Sequence, residues 1–403
     1  MKKTIALVEI HSAKRPGHYK AFMSFFVQSL LNLGHNVLVL IPDKEAIDEW
    51  VQEHYPHHEG RYSSYEFVHQ SKDYKRFGRF NTALKTLSAW INVKKHLRKI
   101  EQQEQHTVDL VFFNWLDSFL ANYLSPHILD WYFPYPWAGL YFHPWHMRLY
   151  PQKLNPHPSL SEIDAALVSK KCQGITIHDE GILDIYKARL NNKKVVFFPE
   201  IADGTAPNPQ FDLVAKIKEK AQGRTIVGMI GFMHYKGLNT LIKVARQANP
   251  DDFLFVFVGK WSRTGGVSYT PERIQEANEF FDNPPEHCFV HLGFINEGAD
   301  FNALFSSFDI PYLVYDSFPS SSNNLTKAAI FDKLVMASKG FCVGDDVEKY
   351  ELGLTIEQGN VEESIKTLYK LQKRTHTLKP RFEEYRKIHS KEVLEDKFSE
   401  ILP

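Results

Sequence analysis

Two segments in the second half of the chain decide its fold: Gly228-Met-Ile-Gly231-Phe-Met-His-Tyr-Lys236-Gly237 and Asp316-Ser-Phe-Pro319-Ser-Ser-Ser-Asn-Asn324-Leu-Thr-Lys327. Each follows an apolar run and opens an amphipathic pattern with helical spacing, which predicts a junction between a buried strand and a helix. The start of a helix offers unpaired backbone N–H groups and a positive dipole, and Lys236 adds a point charge. The two junctions therefore predict a site that binds a nucleoside diphosphate.

Strand-like apolar runs alternate with helical patterns along the whole chain, as is typical of a parallel α/β sheet. The predicted strands span residues 5–10, 37–41, 108–113, 139–142, 174–178 and 195–199 in the first half, and 224–230, 253–258, 289–292, 309–314 and 334–338 in the second. The predicted helices include residues 19–33, 238–248 and 361–372, and one that begins at Leu325. Residues 201–204 are predicted to link the two halves.

This layout predicts two Rossmann-like, doubly wound domains that face each other across a cleft. A chain of 403 residues is too long for one ordinary core, which also favours two domains. We expect an N-terminal domain over residues 1–200 and a C-terminal domain over 201–385. A final helix at 386–403 can cross back to the N-terminal domain.

Composition narrows the classes of function. The chain carries 48 basic and 48 acidic residues, so attraction of the whole protein to nucleic acid is not expected. Three cysteines, far apart and without metal-ligand spacing, favour a reducing compartment and thus the cytoplasm. The N-terminus briefly imitates a signal peptide, but Glu9 and His11 interrupt the apolar run. No stretch approaches the roughly 20 apolar residues that a spanning helix needs.

Several short motifs, taken in order, resemble those of the GT-B glycosyltransferases, in particular the retaining family 4 group. The resemblance is carried by Gly34-His35-Asn-Val37, Phe197-Phe-Pro199-Glu-Ile-Ala-Asp203, Gly231 through Lys236-Gly237, Val258-Gly259-Lys260, His291-Leu-Gly293-Phe294 and residues 316–343. It implies that a sugar nucleotide binds in the C-terminal domain and an acceptor in the N-terminal domain. It also implies chemistry without a cofactor or a catalytic metal, and the sequence shows no convincing Asp-x-Asp metal motif.

Two departures from the family pattern stand at the donor site. The family usually has an Arg a few residues before the Lys, where this chain has Phe232 and Met233. The family's Glu-x7-Glu pair aligns with Asp316 and Asn324. Asp316 keeps the charge on a shorter arm, whereas Asn324 keeps only hydrogen bonding. These changes imply a divergent member, a different sugar, or a loss of catalysis.

The candidate donor-site residues each have a structural alternative. The resemblance implies that Lys236, beside Gly231, stabilises the leaving diphosphate, and the alternative is a solvated lysine. The run Ser321, Ser322, Asn323, Asn324 and Leu325 can present N–H groups to phosphate or can simply cap a helix. Asp316 can bind sugar or ribose hydroxyls, or serve as a turn residue before Pro319. Lys260 can meet the nucleotide base or phosphate, or remain a solvated loop residue.

The N-terminal half offers two further candidates. His143, in Tyr141-Phe-His143-Pro144, aligns with a family histidine that reaches the donor sugar near the scissile bond; the alternative is a structural loop histidine. Gly17 and His18 lie on the first loop, where glycine permits close backbone approach to the diphosphate. The alternative there is an ordinary Pro16-Gly17 turn. The aromatic run from Trp131 to Trp145 can line an acceptor site or belong to the core.

Residues 72–99 combine a basic charge run with an apolar stripe. The stretch holds nine basic residues and one acid, Asp73, while Phe77, Phe80, Leu84, Leu87 and Ile91 recur at helical spacing. Such a helix can lie on an anionic membrane or bind an anionic acceptor. The alternative is a helix that packs this stripe on its own domain and solvates its basic face.

We interpret the chain as a hexosyltransferase that uses a nucleotide-diphosphate sugar and a glycan or glycolipid acceptor, with retention at the anomeric carbon. The protein would be cytoplasmic, with peripheral contact to the inner face of a membrane as a further possibility. Two alternatives remain: a sugar-nucleotide epimerase or hydrolase, and a degenerate GT-B protein that binds without transfer.

Overall fold

The computed structural model describes residues 2–11, 18–58, 60–69, 74–265, 268–374 and 377–402, without the side chains of residues 18–21. The chain divides into two compact units. Residues 1–199 together with 390–403 form the N-terminal unit, and residues 200–389 form the C-terminal unit.

The N-terminal unit is a parallel sheet of seven strands in the order β3-β2-β1-β4-β5-β6-β7. Its strands are β1 (Thr4–Val8), β2 (Asn36–Ile41), β3 (Tyr62–Glu66), β4 (Leu110–Phe113), β5 (Trp137–Leu140), β6 (Cys172–Ile177) and β7 (Lys194–Phe197). Its helices are α1 (His18–Asn32), α2 (Glu45–His54), α3 (Asn81–Glu104), α4 (Pro126–Tyr132), α5 (His146–Leu149), α6 (Leu183–Arg189) and, from the end of the chain, α15 (Lys391–Ile401). The strand order reverses between β1 and β4, which are neighbours, so ligands are expected beyond the carboxyl ends of these strands.

The C-terminal unit repeats this plan with six parallel strands in the order β10-β9-β8-β11-β12-β13. Its strands are β8 (Thr225–Ile230), β9 (Phe253–Val258), β10 (Cys288–His291), β11 (Ile310–Leu313), β12 (Val335–Ser338) and β13 (Gly353–Ile356). Its helices are α7 (Asp212–Ala221), α8 (Leu238–Gln247), α9 (Pro271–Asp282), α10 (Ala299–Ser306), α11 (Asn323–Ile330), α12 (Phe341–Lys349), α13 (Val361–Gln372) and α14 (Phe382–Ile388). Here the order reverses between β8 and β11.

The central strands are apolar on both faces because helices cover both faces of each sheet. β9 reads Phe-Leu-Phe-Val-Phe-Val, and all six of its residues are buried. The prediction of doubly wound α/β units is confirmed, and each predicted strand lies within two residues of an observed one at its start.

Two edge strands were not predicted. β3 reads Tyr-Ser-Ser-Tyr-Glu and is nowhere fully buried, so it lacks the apolar run that identifies a central strand. β13 is also an edge strand and pairs only with β12. Its short segment, Gly-Leu-Thr-Ile, is half-buried in the middle.

Candidate functional site

The two junctions that the sequence singled out lie side by side at the carboxyl edge of the C-terminal sheet. β8 and β11 are hydrogen-bonded neighbours, and the loops that follow them touch. The N–H of Asp316 donates to the carbonyl of Tyr235 over 2.6 Å, and the rings of Tyr235 and Phe318 stack at 4.3 Å. A Cβ at Gly237 would lie 2.1 Å from the carbonyl oxygen of Val314, so the close approach of the loops requires glycine.

Lys236 lies partly buried in this loop with its ammonium turned back towards β8. Its Nζ donates to the carbonyl of Ile230 over 2.9 Å and lies 3.1 Å from where a Cβ at Gly231 would stand. Burial lowers the pKa of Lys236 to about 8. Within the described ranges no carboxylate forms an ion pair with Lys236, so its charge is left for a partner outside the protein.

Asp316 has a partner that sequence reasoning missed. Its carboxylate forms an ion pair with Arg273 near the start of α9. The Arg273 Nε also donates to the buried Asn239 side chain over 3.2 Å, so α8, α9 and the β11–α11 loop are tied together. This pair has no local signal in the sequence, because Arg273 lies 43 residues before Asp316 in a region with no family motif.

The Ser/Asn run is held in place by its own unit. The hydroxyl of Ser321 donates to the Glu200 carboxylate, and the hydroxyl of Ser322 bonds that of Tyr315 at 2.9 Å. The Asn323 amide donates to the carbonyl of Ile201 over 2.8 Å. These side chains therefore fix the loop, instead of all standing ready for a ligand.

The start of α11 still offers backbone N–H groups to a ligand. Ser322 is the N-cap residue, yet its side chain caps no helix N–H. Within the part of the chain that the structure describes, the N–H groups of Asn323 and Asn324 have no protein acceptor. The N–H of Leu325 donates to the carbonyl of Ser322 over 2.9 Å, and the Leu325 side chain is buried in the core. The two free N–H groups suit an anion.

Two other lysines of these segments lie in different environments. Lys260 is exposed, and its Nζ lies 4.9 Å from the centre of the Phe294 ring. Lys327 is fully buried, with Nζ 2.5 Å from the Glu297 carboxylate and 2.6 Å from the Asn302 amide oxygen. Lys327 therefore has a structural role, whereas Lys260 is accessible to a ligand.

At the carboxyl edge of the N-terminal sheet, His143 is held by a carboxylate that the sequence did not reveal. Asp117 accepts the backbone N–H of Phe142 over 2.9 Å and that of His143 over 2.8 Å. The Nδ1 of His143 lies 3.4 Å from the same carboxylate. Asp117 thus fixes both the turn after β5 and the ring of His143, which is 35% exposed.

Aromatic rings surround His143. Trp115 and Phe142 stack at 3.9 Å, and the rings of Trp115 and Trp145 lie 5.1 Å and 5.0 Å from that of His143. The predicted aromatic run is divided: Trp137 and Tyr141 are in the core, whereas Trp131 is 77% exposed. The core interpretation therefore holds for Trp137 and Tyr141, and the acceptor site stays a prediction for the exposed residues.

Glu9 follows β1 at the same edge and is 1% exposed. Burial raises the pKa of Glu9 to about 7. The backbone N–H of His11 donates to the carboxylate over 2.6 Å and acts in the opposite direction, lowering the pKa. The His11 ring in turn hydrogen-bonds the hydroxyl of Ser118.

Gly17 lies outside the described residues, and His18 begins α1 with its side chain outside them. Across the described ranges, no three His, Cys, Asp or Glu side chains converge as metal ligands.

No protein-family model matches this sequence. No curated protein matches it either.

Solved structures do resemble the chain over its whole length. HepE from Anabaena, in complex with UDP and glucose, is similar with a TM-score of 0.65 and 14% identity, over 99% of this chain and 99% of that one. A glycosyltransferase from Rickettsia africae gives a TM-score of 0.63 at 15% identity, over 100% and 98%. Sucrose-phosphate synthase from Thermosynechococcus elongatus gives a TM-score of 0.62 at 14% identity, over 99% of this chain and 98% of that one. At such identities the likeness concerns the fold alone, and it shows that this chain has the predicted GT-B fold.

Proposed function

We propose that this protein transfers a hexose from a nucleotide-diphosphate sugar to a sugar-containing acceptor. The observation that carries the proposal is that β8 and β11 are neighbours, so the loop with the Lys236 ammonium and the start of α11 with its two unbonded N–H groups lie at the same edge of the sheet. A diphosphate is the anion that suits a cation beside a helix N-terminus at this position of a doubly wound sheet.

Charge stabilisation is the main catalytic device in this proposal. As the bond between the anomeric carbon and the diphosphate breaks, negative charge grows on the leaving oxygen. Lys236 and the N–H groups of Asn323 and Asn324 stabilise that charge without moving, because hydrogen bonds already hold the two loops that carry them. Arg273, held by Asp316, supplies a second cation on an adjoining helix and compensates for the arginine that the family carries near Gly231.

We propose that the donor meets the polar groups that the family likeness indicates. Asp316 and Asn324 bind its hydroxyls, and Lys260 contacts the base or phosphate. His143, oriented by Asp117, donates a hydrogen bond near the scissile bond. HepE was solved with UDP-glucose bound, which makes a uridine diphosphate sugar the first donor to test.

The reaction is proposed to retain the anomeric configuration without a catalytic metal. In a front-face mechanism the leaving diphosphate helps to deprotonate the acceptor hydroxyl, so no protein nucleophile is required. The acceptor is proposed to be a glycan or a glycolipid in the cytoplasm. A glycolipid would bring the enzyme to a membrane surface, and we propose that residues 72–99 make that contact.

A turnover assay tests the proposal. Purified protein is given UDP-glucose, GDP-mannose or ADP-glucose with a pool of glycan and glycolipid acceptors, and released nucleotide is measured with and without EDTA. We expect acceptor-dependent release from one donor, unchanged by EDTA, and NMR of the product should show the anomeric configuration of the donor. Lys236→Met should lose this activity, whereas Lys243→Met, an exposed lysine on α8, should keep it.

Three outcomes would contradict the proposal. Equal turnover without acceptor would indicate an epimerase or hydrolase. Nucleotide binding without any turnover would indicate a degenerate binding protein. Full activity in a folded Lys236→Met variant would remove Lys236 from the mechanism.

A further inference from the structure

The long basic helix α3 is attached to its sheet by a face that the sequence did not identify. Its buried residues recur every three or four positions and form one stripe: Ala83, Thr86, Ala89, Trp90, Val93, Leu97 and Ile100. Trp90 anchors the stripe, because its indole N–H donates to the carbonyl of Phe119 over 2.9 Å. This stripe packs α3 on the N-terminal unit, so the helix does not need a second apolar face for that purpose.

A second apolar stripe nevertheless runs along α3. Leu84, Leu87 and Ile91 lie about 140° around the helix from the buried face, at 3.6 residues per turn. They are only half-buried and line a groove of about 590 Å³ together with Val68 and Tyr74. Leu87 also packs against the core of its own unit, so this stripe is shared between the domain and the groove.

Exposed aromatic side chains extend this stripe at the N-terminal end of α3. Phe77 and Phe80 are 44% and 43% exposed in the 3-10 segment Lys75–Phe80. The guanidinium of Arg76 lies 4.9 Å from the Phe77 ring centre, and that of Arg79 lies 5.1 Å from the Phe80 ring centre. Each large apolar side chain thus carries a cation beside it. We call the set Val68, Phe77, Phe80, Leu84, Leu87 and Ile91 the apolar patch.

The charge around the apolar patch has one sign. Between residues 74 and 100 the chain has no acid and eight basic residues: Lys75, Arg76, Arg79, Lys85, Lys94, Lys95, Arg98 and Lys99. The whole chain is neutral, so this surface concentrates positive charge that is balanced elsewhere. An apolar strip flanked by cations is complementary to a layer whose surface is anionic and whose interior is apolar.

We infer that the apolar patch and its flanking cations dock on an anionic lipid bilayer. Phe77 and Phe80 enter the boundary between headgroups and acyl chains, while Arg76, Arg79 and Lys95 pair with the headgroup phosphates. None of the helices in the described ranges is long and apolar enough to cross a membrane, so the contact is peripheral. The inference rests on the proposed function only in that docking would give the enzyme access to a glycolipid acceptor. The apolar patch contains none of the proposed donor-site residues.

Vesicle flotation tests the docking without any transfer reaction. Full-length protein is floated with phosphatidylcholine vesicles that contain about one-third phosphatidylglycerol, and with vesicles of phosphatidylcholine alone, at low and at high salt. We expect binding to the anionic vesicles only, and its loss in about 1 M salt, where the screening length falls to about 3 Å. Arg76→Gln with Arg79→Gln should weaken binding roughly twentyfold, and Phe77→Ala with Phe80→Ala roughly tenfold or more.

Matched variants keep the test specific. Lys216→Gln with Lys218→Gln removes two exposed cations from α7 of the other unit, and Ile185→Ala removes an apolar side chain that is 37% exposed elsewhere on the N-terminal unit. Both should bind vesicles like the wild type. Absence of binding to anionic vesicles, equal binding to neutral ones, or equal losses in the control variants would overturn the inference. Each of these results removes the membrane contact but leaves donor turnover in solution unaffected, so the docking and the transfer reaction fail separately.

Discussion

Lys236 is the residue on which the proposed chemistry depends most. Its ammonium is partly buried, has one carbonyl acceptor and forms no ion pair within the described ranges. Its position could be predicted, because a Lys-Gly pair after an apolar run indicates a strand-to-helix loop. Its low pKa could not be predicted, because the desolvation arises from side chains that fold around it.

The pH dependence of donor binding follows from that pKa. Lys236 is protonated below about pH 8 and loses its charge above it. We expect the affinity for a nucleoside diphosphate to be constant near pH 7 and to fall by up to about tenfold per unit as the pH rises above 8. Calorimetry between pH 6.5 and 9.5 measures this. Lys236→Met should bind weakly at every pH, and a wild-type profile that stays flat to pH 9.5 would refute the assignment.

Asp117 is predicted to act through His143. Asp117→Asn removes one of two carboxylate oxygens that accept backbone N–H groups and weakens the hold on the His143 ring. We expect kcat/KM to fall roughly ten- to hundredfold, as for other groups that orient a functional histidine, and its pH profile to shift.

Asp130→Asn is the matched control for Asp117. The Asp130 carboxylate also holds a turn in the N-terminal unit, through the N–H groups of Lys170 and Lys171, but it lies at another part of the sheet. The Asp130→Asn variant should leave the pH profile of kcat/KM unchanged. An identical profile shift in both variants would mean that Asp117 has only a structural role.

At the scale of elements, the two strand-loop-helix junctions are the best predicted part of the molecule. An apolar run followed by small residues and a helical pattern is a local signal, and β8, α8, β11 and α11 follow it closely. Arg273 could not be predicted, because its contact with Asp316 depends on how α9 packs. The direction of the Ser321 and Asn323 side chains was equally hidden, since their partners Glu200 and Ile201 are distant in sequence.

The closeness of the two junctions makes Gly237 sensitive to substitution. It has a φ of +66°, and an added Cβ would lie 2.1 Å from the carbonyl of Val314. Gly237→Ala should therefore destabilise the C-terminal unit by about 1–3 kcal/mol and weaken donor binding. Gly204→Ala, where no heavy atom lies within 4 Å of the new Cβ, should change stability by less than about 0.5 kcal/mol. Equal stabilities in thermal unfolding would contradict this account of the loop.

At the scale of the whole molecule, the end of the chain completes the first unit. α15 belongs to the N-terminal unit although residues 200–389 form the other one. Its Phe398 is fully buried among Phe26, Phe112 and Phe198, with ring centres 5.0–5.3 Å away. The sequence predicted a final helix here, but the aromatic cluster that receives it joins residues from both ends of the chain and has no local signal.

Phe398→Ala should therefore lower the free energy of unfolding of the N-terminal unit. Loss of a fully buried phenylalanine costs about 3–5 kcal/mol. Chemical denaturation followed by tryptophan fluorescence measures the effect, because six of the seven tryptophans lie in this unit. Phe294→Ala, which removes a side chain that is 50% exposed, is the control and should leave this transition unchanged. A loss below about 1 kcal/mol would mean that α15 is not part of the core.

The central claim is that the β8/β11 edge binds the diphosphate of a nucleotide sugar, and calorimetric titration with UDP, GDP and ADP at pH 7 tests it most directly. We predict selective binding of one nucleotide, at least about tenfold weaker binding by Lys236→Met, and unchanged binding by Lys243→Met. Failure of all three nucleotides to bind, or equal affinity in Lys236→Met and the wild type, would contradict the claim.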